Sequence, residues 1–506
     1  MNSKKTVELD RRGFLKCSGT LAGAALVGAT TLQTLTAHSA LAAQGKRDLG
    51  LCGRSPRSAV RGSYGELAPV ADQNGDEILA LPQGFRYVTF SKIGGAMTDG
   101  NLTPRNHDGM CAFPGPDGTI RLIRNHEVRN APGDRVFAVE GPNDTRYDAL
   151  GVAGTVTVDY DPSAPRRGRV VRDFISLNGT IVNCAGGYAF RDAGWITCEE
   201  TTAGPNQGWD QKHGYNFLVP AAVNITTLSI PIISMGRFSH EASVADPTTG
   251  IVYQTEDAGS GVGSGFYRYL PNDPSNLLAG GELQMLRVVG RPEVDLRQGQ
   301  TVGAWLPVDW VTINDPDPNL EGGATRTFDQ GFAQGGAKFN RLEGIFRGPR
   351  GSAYFGSTSG GNAKNGDVNS DGFAEGFGQI WQYLPGADKN ELVLVFESPG
   401  GSVLDSPDNL LVTPSGGILL CEDDASSGDG DTHPLAPGIT DVNRLIGLTV
   451  DGEPFEFAVN RLNDTEFAGA CYSPDGNILF VNIFGDGTED SGMTCAITGP
   501  WQRGPL

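Results

Sequence analysis

The chain of 506 residues carries 59 Asp and Glu against 39 Lys and Arg, a formal net charge of −20. A field of that sign repels phosphate backbones and anionic lipid, which excludes nucleic acid and acidic membrane surfaces as partners. Surplus carboxylate oxygens suit hard cations instead, with ordinary solvated surface as the alternative for most of the acids.

In chain order, the first feature is Arg11, Arg12, Gly13, Phe14, Leu15 and Lys16, which read as a twin-arginine export signal. A weakly apolar run follows and ends at Ala40, Leu41 and Ala42. Gly, Thr and Gln interrupt the run too often for a stable span of ~20 apolar residues. The expectation is a signal peptide over 1–42, cleaved after Ala42, and a single domain over 43–506. The twin-arginine translocation machinery is then a partner, the destination is periplasmic or extracellular, and no membrane insertion persists after cleavage. Of eight cysteines, Cys17 falls in the signal, and the odd remainder has no spacing that suggests a disulfide framework.

One phrase then recurs: a Gly-containing turn, a short apolar strand, and a polar end. It appears as GPDGTIRLIRNHE (115–127), RDAGWITCEE (191–200), DPTTGIVYQTED (246–257), GPRGSAYFGSTS (348–359), TPSGGILLCEDD (413–424) and SPDGNILFVN (473–482). Gly and Pro supply the dihedrals of tight turns, and the flanking Ile, Val, Leu, Tyr and Phe favour strands. A second run beginning with a ligand-type residue precedes each turn. Equal distances from the turn pair Asp108 with Glu127, Cys184 with Glu199, Glu241 with Glu256, Glu343 with Ser357, Asp408 with Glu422, and Glu466 with Asn482. A bulge would shift any of these partners by one.

Six hairpins over a chain with 72 Gly and 31 Pro predict an all-β fold, a six-bladed β-propeller with loop and short helical insertions. A pair of β-sandwiches is the alternative. Residues 43–80 are expected to lead into the fold and 271–335 to form a long insertion.

Radial hairpins would converge at their open ends. Asn106, Asp108, Asn125, Glu127, Glu199, Glu200, Glu241, Glu256, Asp257, Glu343, Asp405, Asp408, Asn409, Glu422 and Asp423 would then line one mouth. Buried like charges protonate or bind cations, and calcium takes ~6 to 8 oxygens. Turn-type Asp and Asn at strand ends are the alternative for any single member. Cys184 is the soft donor of the set and suits a transition metal such as iron, unless it is simply a small buried apolar residue. Cys198, Cys421 and Cys471 sit in apolar strands. Alternation turns His107, His126 and His240 away from the acids beside them, so packing or support is expected of them. Arg341, two residues before Glu343, is the cation best placed for an anionic substrate, with a plain salt bridge as the alternative. DVNSDGFAE (367–375) has Asp367, Asn369, Asp371 and Gly372 in the order of half a calcium loop, but Gly378 stands where a closing Glu would be needed. No GxSxG, GxxxxGK[ST] or HExxH pattern is present.

NHDGM (106–110), RNHE (124–127), NCAGG (183–187), TCEE (197–200), GRFSHEA (236–242), RLEGI (341–345), DSPDN (405–409), LLCEDD (419–424), NRLIGLT (443–449), EFAGACYSPDG (466–476) and AITGPW (496–501) follow in order. Together they resemble the PhoX-type alkaline phosphatases. The resemblance implies an exported phosphomonoesterase acting on phosphate monoesters, built on a β-propeller, with iron and calcium as cofactors. It implies Cys184 as an iron ligand with one or more of Glu241, Glu343 and Asp423. Glu199 or Glu200, Asp108 and Glu127 would serve calcium or a shared bridge, and Arg341 would hold phosphoryl oxygens. The candidate catalytic residues are thus Arg341 and Asn106. The candidate metal ligands are Cys184, Glu199, Glu200, Glu241, Glu343, Asp423, Asp108, Glu127 and Glu422. The chain reads GGYAFRDAGW between Cys184 and Glu199 where a Thr-Pro-Trp type segment is expected, which leaves the choice between Glu199 and Glu200 open. The competing expectations are a calcium-dependent lactonase and a non-catalytic calcium-stabilised propeller.

Overall fold

A computed structural model describes residues 63–506 except 260, 362 and 425–429. The twin-arginine motif, its cleavage position and residues 43–62 lie outside the described residues. All six predicted hairpins are present and antiparallel. They are His107–Pro114 with Ile120–His126, Asn183–Tyr188 with Gly194–Glu199, His240–Ala245 with Val252–Glu256, Leu342–Arg347 with Ala353–Ser357, Pro407–Val412 with Ile418–Glu422, and Phe467–Tyr472 with Leu479–Ile483. The tight turns need backbone that few L-residues adopt readily. Asp117, Arg191 and Arg350 take φ of 52°, 55° and 58° there.

The first strand of each hairpin packs against the first strand of the next, and the sixth packs against the first, so the arrangement is propeller-like. Aromatic and aliphatic side chains fill the wedges between sheets. Phe266 stacks on Phe355 with ring centroids 4.3 Å apart, joining the third and fourth hairpins, and Phe85, Phe457 and Trp501 interlock beside the sixth. Closure uses the start of the chain. Arg86–Phe90 adds to Met493–Thr498, and Leu79–Pro82 adds to Pro454–Asn460.

The sheets do not divide evenly. Trp305–Thr312 pairs with Asn390–Glu397 and fuses the third and fourth hairpins into one nine-stranded sheet. The expected insertion over 271–335 therefore contributes two strands to this sheet, Gly281–Val288 and Trp305–Thr312, with the short helix Thr327–Phe332 following. Among the described residues no helix is long and apolar enough to cross a membrane.

Candidate metal centre

The same irregularity interrupts all six hairpins near their open ends. His107 pairs with His126 but Met110 pairs with Arg124, so three steps on one strand oppose two on the other. The same count separates Asn183 from Gly186, His240 from Ser243, Leu342 from Ile345, Pro407 from Leu410, and Ala468 from Cys471. Such bulges re-aim side chains and favour functional rims. Here they contain Asp108, Cys184, Glu241, Glu343 and Asp408.

Beyond the last ladder pair, one further backbone bond closes each mouth. The N–H groups of Glu127, Glu200, Asp257, Thr358, Asp423 and Phe484 donate to the carbonyls of Asn106, Val182, Ser239, Arg341, Ser406 and Glu466 at 2.9–3.2 Å. Four of those acceptors are left-handed: Asn106 at φ 55°, Val182 at 49°, Arg341 at 43° and Ser406 at 44°. For a β-branched residue such as Val182 this conformation is strained, and strain repeated at equivalent positions marks a site held by its surroundings.

The second strands therefore deliver the residue after the last paired one. Glu127, Glu200, Asp257 and Asp423 face the mouth, while Glu199, Glu256 and Glu422 stand one residue earlier and, by alternation, on the other side. This corrects the pairing expected for Cys184, Glu241 and Asp408, and it leaves Glu199 and Glu422, expected as ligands, outside the clustered donor groups. Each of these acids is held elsewhere. Glu199 accepts hydrogen bonds from the N–H groups of Ile181, Gly214 and Tyr215 and faces His213 Nδ1 at 2.7 Å. Glu256 accepts from Gly265 N–H and Tyr267 Oη, at 3.0 and 2.6 Å. Glu422 takes a two-pronged ion pair from Arg444 at 2.7 and 2.8 Å, with the N–H groups of Asp405 and Arg444.

The ligand-type atoms that remain form three overlapping groups, each with its atoms within 4.8 Å of one another: Asp108, Glu127 and Cys184; Cys184, Glu200 and Glu241; Glu241, Glu343 and Asp408; a fourth, separate group holds Asp405, which was expected at the mouth, with Asp424 and the exposed Asp431. Cys184 joins the first two and Glu241 joins the second and third. All seven residues of the three overlapping groups are buried except Glu200, which is partly exposed. Both carboxylate oxygens of Glu241 are buried without a hydrogen-bond donor, and those of Asp108 have only the Cys184 thiol beside them. Burial, then the charges of Asp408 and Glu343, push Glu241 well above the usual carboxylate range. Burial and Glu127 do the same to Asp108, and burial raises Cys184. Orphaned oxygens beside a sulfur, clustered against their own repulsion, fit cations that would replace the missing donors.

Asp423 lies outside the three groups but in their field; burial and Asp408 lift it to about 8. Glu466, on the sixth hairpin, is raised by burial and then Asp423 and Asp408. Arg341 binds Asp257 Oδ2 at 3.0 Å and Glu343 Oε1 at 3.1 Å. Arg129 bridges Glu127 and Glu200 in the same manner, and sequence reasoning missed it. Its signal was available, since it stands two residues from Glu127 as Arg341 stands two from Glu343. The Asn106 amide donates to Gly485 O at 3.0 Å, so it braces the rim. Asn125 reaches the carbonyls of Cys184 and Ala185 at 2.8 and 2.7 Å and fixes the bulge that carries the thiol.

His107, His126 and His240 are buried against backbone carbonyls, and burial holds each below the usual imidazole range, His240 at about 3. Cys198, Cys421 and Cys471 are buried free thiols. In the calcium-like loop, Asp371 pairs with Arg297 and Lys338, both at 2.8 Å, which a calcium ion would have to displace. The side chain of Asp367 is outside the described residues.

A cavity of 480 Å³ opens beside Arg341, Glu200 and Asp257 and is walled by Thr202, Phe238 and Arg326. The sequence profile of the family described as alkaline phosphatase PhoX matches residues 63–487. No curated protein sequence matches the chain. Among solved structures, Pseudomonas fluorescens PhoX, in complex with the transition-state analogue vanadate, superposes with a TM-score of 0.60 at 17% identity, covering 87% of this chain and 98% of its own. A gluconolactonase from Xanthomonas campestris reaches a TM-score of 0.38 at 10% identity, over 86% and 98% of the two chains. The profile spans most of the chain and includes all three carboxylate groups at the mouth; the chain belongs to the PhoX alkaline phosphatase family.

Proposed function

We propose that this phosphatase releases inorganic phosphate from phosphate monoesters at a mixed iron and calcium centre in the propeller mouth, each of the six hairpins forming the inner part of one blade. The carrying observation is the chain of three donor groups joined through Cys184 and Glu241. A thiolate among carboxylates suits iron at the groups that include Cys184, whereas Glu241, Glu343 and Asp408 offer only oxygen and suit calcium. When bound, such ions polarise phosphoryl oxygens and make a water nucleophilic near neutral pH, so no serine nucleophile is needed.

The chain's own part is positioning and charge. Arg341 is held by Asp257 and Glu343, and Arg129 by Glu127 and Glu200, so two guanidiniums stand ready at the rim with their planes fixed. Fixed forks match phosphoryl oxygens in two-pronged fashion. A net charge of −20 repels a phosphate ester at long range; the two guanidiniums are each shared between two carboxylates, so cations held by the donor groups would supply the positive charge that attracts the ester locally. The adjoining cavity has room for the alcohol half of the ester. Export through the twin-arginine pathway to the periplasm or beyond belongs to the same proposal, supported by Arg11 and Arg12 in the leader.

Elemental analysis of the untagged protein, coupled to phosphate release from an aryl phosphate before and after chelation, tests the proposal. Iron and calcium should both be found, and Cys184→Ser should lose iron and activity together. Zinc alone, or full activity in that variant, would overturn it.

A further inference from the structure

On the flank of the molecule, between the strand Arg86–Phe90 and the turn that precedes Val170, lies a cavity of 490 Å³. None of its lining residues belongs to the metal groups. Its wall carries Lys92, Arg166, Arg167 and Arg169 against a single acid, Asp173. Among the described residues none of these four cations has a carboxylate within ion-pair distance, although acids exceed bases by twenty in the whole chain. Asp173, whose Oδ1 accepts the Thr98 N–H at 2.6 Å, offsets at most one of the four charges and makes no ion pair with any of them.

The guanidiniums are anchored but not saturated. Arg166 donates to Tyr87 O at 2.6 Å, Arg167 to Gln73 O at 3.2 Å, and Arg169 to Tyr160 Oη at 3.0 Å, each through one nitrogen of a five-donor fork. Arg169 Nε and Ser91 Oγ are buried with no hydrogen-bond partner. Ser91 also holds a left-handed backbone at φ 49°, a conformation uncommon outside glycine. Arg166 and Arg167 are exposed at the rim, whereas Arg169 Nε is a buried donor without an acceptor beside a surplus of three positive charges, a setting that fits an anion.

We infer that this cavity is a second binding site, for a phosphate-class dianion, either free orthophosphate or a small organic phosphate. A single carboxylate would leave most of the positive charge unmatched, whereas a tetrahedral dianion offers several acceptor oxygens to forks arriving from different directions. The volume exceeds that of the ion alone and leaves space for an ester group. The inference is independent of the metal chemistry at the mouth.

Calorimetric titration of the metal-loaded protein with inorganic phosphate, and separately with phenylphosphonate as a non-hydrolysable organic mimic, tests it. Wild type should show two classes of site, and Arg166→Gln with Arg169→Gln should lose one. The same variant should keep its kcat and its competitive inhibition by phosphate. The flank class should weaken about tenfold or more when ionic strength rises from about 0.05 to about 0.5 M. Whichever probe binds the flank more tightly identifies the source of the dianion. Equal stoichiometry in wild type and variant, with either probe, would overturn the site. Should the double variant fold poorly, Lys92→Gln alone should weaken the flank class severalfold while leaving the melting temperature in place, and unchanged affinity there overturns the inference equally.

Discussion

His213 should make the stability of this protein depend on pH. Its ring is fully buried, with Nδ1 2.7 Å from Glu199 Oε1 and Nε2 3.2 Å from Asp148 Oδ2, so both nitrogens face carboxylates. Burial works against the charged ring, but Glu199 and then Asp148 outweigh it and lift the pKa to about 9 from 6.5. A tenfold gain in proton affinity on folding is worth about 1.4 kcal/mol, so the imidazolium contributes about 3 kcal/mol. Because the folded pKa is the higher one, that contribution is complete below about pH 6.5 and disappears as pH rises through about 9.

The assay is urea unfolding of metal-saturated wild type and His213→Gln at about pH 6, 7.5 and 9. Comparing the two proteins cancels the titrating groups that do not touch His213. The gap between them should shrink by about 3 kcal/mol from the lowest pH to the highest. A gap that stays constant would refute the buried imidazolium and the arrangement of Asp148, His213 and Glu199 around it. The element at stake is close to the chemistry, since Glu199 immediately precedes Glu200 and also accepts the N–H of Ile181, next to the strained Val182.

Two substitutions on neighbouring residues should separate stability from activity. Glu422→Gln breaks the buried pair with Arg444 and should cost about 3 kcal/mol in thermal or urea unfolding while changing kcat less than about threefold. Asp423→Asn, whose parent faces the mouth, should lower kcat/KM by about a hundredfold and leave stability nearly intact; the reverse pattern would place the rim acid at 422. At the bulge of the sixth hairpin, Gly469 has φ +60°, and an added Cβ would lie 2.3 Å from Asp108 O and 2.8 Å from Asn482 Nδ2. Gly469→Ala should therefore destabilise by more than about 2 kcal/mol and loosen metal retention on dialysis, whereas a neutral outcome would mean the ring is not closed there.

What the sequence disclosed and what it concealed divide along the range of the interactions. The six hairpins were legible because each is specified locally, by Gly or Pro in its turn and β-branched or aromatic residues on both sides. The ligand-type residues of the first strands were legible for the same reason: Asp108, Cys184, Glu241 and Glu343 sit at like distances before their turns, and the structure brings them together. The pairing of Trp305–Thr312 with Asn390–Glu397 was not legible, because the residues between them include an entire hairpin and no local pattern announces the partner.

The error at Glu199, Glu256 and Glu422 has a different origin. A ruler laid from the turn assumes that both strands advance equally, and a bulge in every hairpin adds one residue to the first strand only. Two consecutive acids, as in TCEE, QTED and LLCEDD, then have opposite duties. The earlier one is drawn into the sheet and tied to a neighbouring element, His213 for Glu199, Tyr267 for Glu256 and Arg444 for Glu422. The later one turns to the mouth, where Glu200 meets Cys184 and Asp257 meets Arg341. In these three hairpins the residue that ends the second strand is an acid bound to a neighbouring strand or loop, and the bulge leaves the acid after it for the mouth. The acids tied to the scaffold, Glu199, Glu256 and Glu422, are therefore distinct from the ligand-type residues grouped at the mouth.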